Sequence, residues 1–320
     1  MEKKEDGEDC EEEEEEEGLK EGERLANEMI ELIFLEPGED GIVVNPEFTH
    51  QNFENEIVDF LKEPEKVGNI SVYIRCADFA HMVDVPNCSN NEERDELITR
   101  ISLSLPKDAT ILNLGSGRKA EDKVEAFAES QSADSLGSVG PGNKIYEFKA
   151  GEDSFELWLA SYKDPGASLL LSRAEQVSKW FIETSDAVNF EDDRWQCLFI
   201  MRRRHSTSSS SSSRQKSFLS IAGYFTLFRF NNPTLGSLLR VCQALVLPHL
   251  QGLGLGRETL LAIYRVARDS TDVAKVTVEG LCRWLQFKIF SKFSQHNKCK
   301  YISFSFVSKF RSSSWLSIYA

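Results

Sequence analysis

The sequence predicts an α+β fold: a mixed β-sheet flanked by helices, preceded by a smaller α/β N-terminal domain. Three observations carry this. Strand-like segments follow one another at DRWQCLFIMRRR, SFLSIAGYFTLFRF and RVCQALVLP, so the chain is not built from alternating βα units. RETLLAIYRVARD (257–269) then places apolar residues at helical spacing, with Leu260, Leu261, Tyr264 and Ala267 on one side, before a last strand KVTVE (275–279). The 320-residue chain, 41% apolar, is long enough to bury the core that such an arrangement needs.

Taken in order, residues 1–23 hold 14 Asp or Glu against 3 Lys, including an unbroken run from Glu11 to Glu17. Such a run repels itself and has nothing to bury, so it reads as a disordered acidic tail. It either solubilises the chain or attracts a basic partner. EGERLANEMIELIFLE (21–36) reads as a helix, and Ile70–Arg75 alternates like a strand. SQSADSLGSVGPGNK (130–144) is Ser- and Gly-rich, and KIYEFKAGEDSFELWLASY reads as two strands about a turn at Gly151–Asp153. SRAEQVSKWFIETSDAV reads as a helix, with Val177, Phe181 and Ile182 near one face and Glu183 toward its C-terminal end.

Between the next two strands, RHSTSSSSSSRQK can bury nothing and is expected to be a mobile hairpin loop. Arg202, Arg203, Arg204, Arg214 and Lys216 beside it could touch phosphate or mark the serines for a kinase, although a tolerated insertion explains them as well. The seven cysteines are scattered without a CxxC pair, which argues for a reducing compartment and against a zinc site. No apolar run approaches the ~18–20 residues that cross a bilayer, so no membrane role is expected.

The stretch LVLPHLQGLGLGRETL (245–260) carries the chemistry. A strand ending in a glycine-rich turn before a helix exposes amide N–H groups at the positive end of the helix dipole, which suits a diphosphate. The P-loop pattern is absent, since no GK[ST] follows. The glycines are not spaced as G-x-G-x-x-G either, although Glu279 stands where a ribose-binding acid would. ILNLGSGRKAED (111–122) looks like the glycine turn of an S-adenosylmethionine-dependent methyltransferase, but no βα series follows it.

Gln251, Gly254 and Gly256 match the Q/R-x-x-G-x-G/A signature of the GCN5-related N-acetyltransferases. WFIETSDAVNFEDDRW (180–195), IAGYFTLFRF (221–230), RVCQALVLPHLQGLGLG (240–256) and VTVE (276–279) occur in that order, and NPEFTHQNFENE (45–56) precedes them. Together they resemble the type B histone acetyltransferase catalytic subunits. The resemblance divides the chain into the tail 1–23, an N-terminal domain 24–165, an acetyl-CoA-binding acetyltransferase domain 166–280 containing the Ser-rich loop 205–216, and a remainder 281–320.

The resemblance implies transfer of acetyl from acetyl-CoA, without a metal, to lysines in the N-terminal tail of newly made core histones, chiefly the fourth. Glu279 matches the general base and Glu183 a second acid. The backbone of Ala244, Leu245 and Val246 would hold the pantetheine arm, and Gln251, Gly252, Leu253, Gly254, Leu255, Gly256 and Arg257 the pyrophosphate. Phe228, Arg229 and Phe230 stand where the family contacts the histone tail. A WD-repeat histone chaperone is the implied partner, with no direct nucleic-acid contact, in nucleus and cytoplasm. The 38 acids and 27 bases of residues 24–280 would favour a basic tail.

The pattern departs after Glu279. In the family an Asp-Pro pair follows the base; here Gly280 follows, and residues 281–320 contain no Asp or Glu, 7 Lys or Arg, 9 Ser and 6 Phe. That segment is expected to be non-native or disordered sequence, such as translated intron or a frameshift. The alternative reading is therefore a histone-binding module with impaired catalysis.

Overall fold

In a computed structural model of the chain, the described residues are 27–36, 39–49, 51–52, 69–85, 91–112, 118–130, 139–183, 185–205, 217–232, 234 and 236–278. The acidic tail, the serine loop and residues 279–320 lie outside them. The chain divides into two compact units, one of residues 1–133 and 175–186, the other of 134–174 and 187–320.

The first unit is built on a five-stranded mixed sheet of order β2-β1-β3-β4-β5. β1 (Ile30–Leu35) runs parallel to β3 (Ile70–Arg75), and β2 (Ile42–Val44) runs antiparallel to β1. β4 (His81–Asp84) pairs antiparallel with β3 and parallel with β5 (Thr110–Leu112). Ile30, Leu32 and Phe34 alternate into the core opposite Ile70, Val72 and Ile74, all essentially without solvent exposure. The helix expected over 21–36 is thus corrected. Only residues 27–29 of the described part are helical, and a period-two row of Ile, Leu and Phe buries better in a pleated strand than on a helix.

Among the described residues of this unit are the helices α1 (Asn91–Ser104) and α2 (Arg118–Glu129). Arg75 ties α2 to the sheet. Its guanidinium donates to the Phe127 carbonyl at 3.3 Å, lies 4.9 Å over the Phe127 ring and pairs with Asp78 at 2.6 Å. A cation near a helix C-terminus also offsets the negative end of the dipole. β5 and α2 flank the methyltransferase-like glycines, which lie outside the described residues.

The second unit carries a six-stranded sheet of order β11-β10-β9-β8-β7-β6. β6 (Asn143–Ala150) and β7 (Asp153–Ala160) form the expected hairpin, with Gly151 in the left-handed region at φ 61°. β8 (Trp195–His205), β9 (Ser217–Phe230) and β10 (Ser237–Val246) continue antiparallel, and β8 and β9 stay paired, with a register shift between Ile200 and Met201, up to His205 and Ser217, the residues that bracket the serine loop. After β10, α3 having already passed at Ala167–Ser178, α4 (Leu255–Asp269) crosses over to β11 (Val273–Val278), the one parallel neighbour of β10. β6 and β7, grouped above with residues 24–165, therefore pair within this second sheet.

The buried side of α4 is Leu255, Thr259, Leu260, Ala262, Ile263, Tyr264 and Ala267; Leu261, expected there, is only half-buried. The helix expected to reach Glu183 instead ends at Ser178, and residues 179–183 turn. Ser178 Oγ donates back to the Glu175 carbonyl at 2.8 Å, and the Trp180 carbonyl accepts the N–H groups of Glu47 and Phe48 at 2.8 and 3.1 Å. Those partners satisfy backbone groups that a continued helix would have used.

Candidate functional site

β10 is where the second sheet changes character. Its parallel register with β11 is described only as far as Val241 opposite Val278, whereas its antiparallel register with β9 continues to Val246 opposite Gly223. Cys242 is the extra residue of a bulge, since Val241 pairs with Leu227 and Gln243 with the next residue, Thr226. Past the bulge, Gln243 is anchored three times on β9: its N–H donates to Thr226 Oγ1 at 3.0 Å, and its side-chain oxygen accepts from Thr226 Oγ1 at 3.3 Å and from the Tyr224 hydroxyl at 3.4 Å. Ala244 and Val246 are half-buried and Leu245 is buried at 3% exposure, and all three pair with β9.

Gly223 sets how close β9 and β10 come. A Cβ there would lie 2.2 Å from the Leu245 carbonyl oxygen and 3.0 Å from Val246 Cα, both backbone atoms. Only glycine leaves that carbonyl where it is.

A one-turn 3-10 helix (Pro248–Leu250) leads from β10 into the glycine run. Gln251 folds back, its amide donating to the Val246 carbonyl at 3.1 Å. Gly252 and Gly254 follow at φ 82° and 81°, in the left-handed region, and an added Cβ at either would meet nothing within 4 Å. Conformation, not crowding, requires these glycines, and the space above them is open. Gly254 is the N-cap of α4 and supplies no side chain to its first amides. At Gly256 the nearest neighbour of a Cβ would be Val246 Cγ2 at 3.9 Å, so the first turn of α4 lies against the end of β10.

Around this turn, Leu253 is 41% exposed and Leu255 is buried beneath it. Arg257 is exposed and pairs with Glu258 at 2.6 Å. Burial, with the Arg202 charge behind it, pushes the His249 imidazole down to about 4, so this ring is neutral at physiological pH. The positive potential of the turn comes from its amides and Arg257.

Phe228 and Phe230 point to the same face of β9. Phe228 packs edge-on between Trp195 and Phe230 at 4.8 and 4.5 Å, Arg194 lies 4.8 Å over Phe228, and Arg240 lies 4.6 Å over Phe230. Phe230 is 38% exposed and Phe228 is buried. Arg229 alternates to the opposite face and pairs with Asp272, whose carboxyl is held low by the Ser270 hydroxyl and then by Arg229 itself. The three expected tail contacts therefore do not share one face.

Of the basic residues beside the serine loop, Arg214 and Lys216 lie outside the described residues, while Arg202 and Arg203 are already engaged. Arg203 grips the buried Glu156 through Nε at 2.8 Å and a terminal nitrogen at 2.6 Å, and Arg202 pairs with Asp153 at 2.7 Å. Glu183 is exposed in a turn of the first unit. Glu279 lies outside the described residues, one position beyond the described end of β11. Sequence reasoning missed Gly223, Gln243 and Gln51; a glycine inside the apolar run SIAGYFTLF was the one available signal, and it pointed to a bulge or close approach.

Two mixed sheets with helices, the second leading through a left-handed glycine turn into α4, define an α+β protein. The family profile described as "Histone acetyl transferase HAT1 N-terminus" matches residues 24–183, half of the chain, and the chain belongs to the type B histone acetyltransferase family. It is 25% identical over 287 residues to the histone acetyltransferase type B catalytic subunit of Emericella nidulans, covering 79% of this chain and 56% of that protein. Its counterpart from Homo sapiens is 22% identical over 242 residues, 73% of this chain and 54% of its own length. The Kluyveromyces lactis protein of the same name is 23% identical over 191 residues, covering 59% and 46%. The chain thus spans about half the length of the curated relatives it matches.

Proposed function

We propose that the protein transfers acetyl from acetyl-CoA to lysine side chains in the N-terminal tail of newly made core histones, chiefly the fourth, with a WD-repeat histone chaperone as partner, in nucleus and cytoplasm. The observation that carries this reading is the pair of left-handed glycines, Gly252 and Gly254, set between β10 and the uncapped start of α4. The residues present fit acetyl-CoA: open space over the turn, amides at a positive helix end for the diphosphate, and an edge of Ala244, Leu245 and Val246 for the pantetheine amides.

In the transfer a C–N bond forms to the lysine nitrogen, the thioester C–S bond breaks, and the sulfur leaves as the thiol after taking up a proton. The attacking amine must be neutral, yet its ordinary pKa is ~10.4, so the chain has to accept a proton. Glu279 is assigned as that base and Glu183 as a second acid. An N–H of the β10 edge would polarise the thioester carbonyl, a role in which one donor is worth ~10²–10³ in rate. Phe228 and Phe230 would offer an apolar face to the tail, and the excess of acids over bases in residues 24–280 suits a basic peptide.

The test is incubation of the full chain with labelled acetyl-CoA and a histone tail peptide, beside Glu279→Gln. Label should pass to the peptide with the native chain and fall at least a hundredfold with the variant, in line with the ~10²–10⁴ that a general base supplies. Transfer untouched by the variant would reject Glu279 as base. Peptide binding without any transfer would favour the histone-binding module.

A further inference from the structure

Within the first unit, residues 45–49 and 51–52 are hydrogen-bonded to residues 179–183 and 185, joining two of the segments that carry the family resemblance. Gln51 joins them. Its side-chain Nε2 donates to the Lys179 carbonyl at 3.1 Å and to the Ile182 carbonyl at 2.8 Å, and its Oε1 accepts the Ser185 N–H at 3.0 Å. These bonds span 128 to 134 residues of sequence. The Trp180 carbonyl is taken by the N–H groups of Glu47 and Phe48, and Ser178 and Ser185 share a hydroxyl hydrogen bond of 2.6 Å across the base of the turn. Backbone groups on both sides of Glu183 are thus fixed, while Glu183 itself stands exposed between them.

We infer that Gln51 is a positioning residue for Glu183, holding the turn that presents this carboxylate. The inference rests on the reading of Glu183 as the second acid of the transfer. The chemistry of the bridge is specific to an amide of this length. It uses two donors and one acceptor on one rigid plane; a carboxylate lacks both donors, and asparagine falls one methylene short. Among the described residues its bonds go to backbone at 179, 182 and 185, so it holds the chain on both sides of residue 183. A reacting group displaced by even about 1 Å loses rate on the order of a hundredfold, so such a bridge is a sensitive control point.

Four versions of the full chain test it: native, Gln51→Leu, Glu183→Gln and the double variant, assayed with labelled acetyl-CoA and a histone tail peptide. Each single change should lower kcat at least tenfold while leaving the KM for acetyl-CoA within about twofold. The double variant should be no slower than Glu183→Gln alone, because once the carboxylate is gone its placement no longer matters. A double variant slowed by the product of the two single effects would overturn the inference and leave Glu183 in its role. A fully active Glu183→Gln would sink the underlying reading of Glu183 and the inference with it. Gln51→Glu, of the same volume, repeats the test should the leucine variant not fold. Amide hydrogen exchange supplies a readout without turnover: exchange at Ser185 should quicken at least tenfold in Gln51→Leu, which removes the acceptor of that N–H, and unchanged protection would overturn the inference.

Discussion

Single side chains decide the fit between β9 and β10. Gly223→Ala would set a Cβ 2.2 Å from the Leu245 carbonyl, so the strand edge assigned to the pantetheine arm must shift. The expected result is a KM for acetyl-CoA raised about tenfold, equivalent to ~1.4 kcal/mol, with a loss of stability of ~1–3 kcal/mol seen in urea unfolding. An unchanged KM in a folded variant would show that the Leu245 peptide does not touch the ligand. His249 makes a second prediction at this scale. Burial, with Arg202 as the lesser cause, lowers its pKa from 6.5 to about 4, so between those values the unfolded chain takes up a proton that the folded chain refuses. Its contribution is complete above pH 6.5 and is lost as pH falls toward 4, by at most about 3 kcal/mol. Urea midpoints of native protein and His249→Gln should therefore diverge between pH 7.5 and 5, the native chain losing more. Parallel pH profiles would contradict the burial of this ring.

At the scale of elements, the buried Glu156 and its two-pronged Arg203 link β7 to β8. Removing one partner strands a charge, and Glu156→Ala should cost ~3–5 kcal/mol in unfolding free energy, against a much smaller cost for an exposed pair such as Lys163 with Asp193. The same scale shows what could be read from sequence. The hairpin at 143–160, strands β8 to β11 and α4 were legible because each carries its period locally, and the glycine turn because left-handed backbone favours glycine. The row Ile30, Leu32, Phe34 misled, since a short apolar run fits both periods and only pairing with β3, forty residues on, chooses the strand. The helix through WFIET was overextended for a similar reason: the groups that end it belong to residues 47, 48 and 51. Gln51 itself carries no local signal at all. Arg202 and Arg203 looked free in sequence because Asp153 and Glu156 lie about fifty residues away.

For the whole molecule, the family profile covers the first unit's described sheet together with β6 and β7 of the second and all of α3, while the glycine turn lies beyond its end at residue 183. The central claim, that β10, the turn at 252–254 and the start of α4 hold acetyl-CoA, therefore stands on geometry independent of that match. A side chain at Gly254 would have to adopt the left-handed region at a cost of ~1–2 kcal/mol, moving the first amides of α4. Titration calorimetry of acetyl-CoA into the full chain, beside Gly254→Val, tests this most directly. The account predicts one site on the native chain, weakened at least tenfold by valine. Equal affinity in the two proteins, or no binding to the native chain, would contradict it.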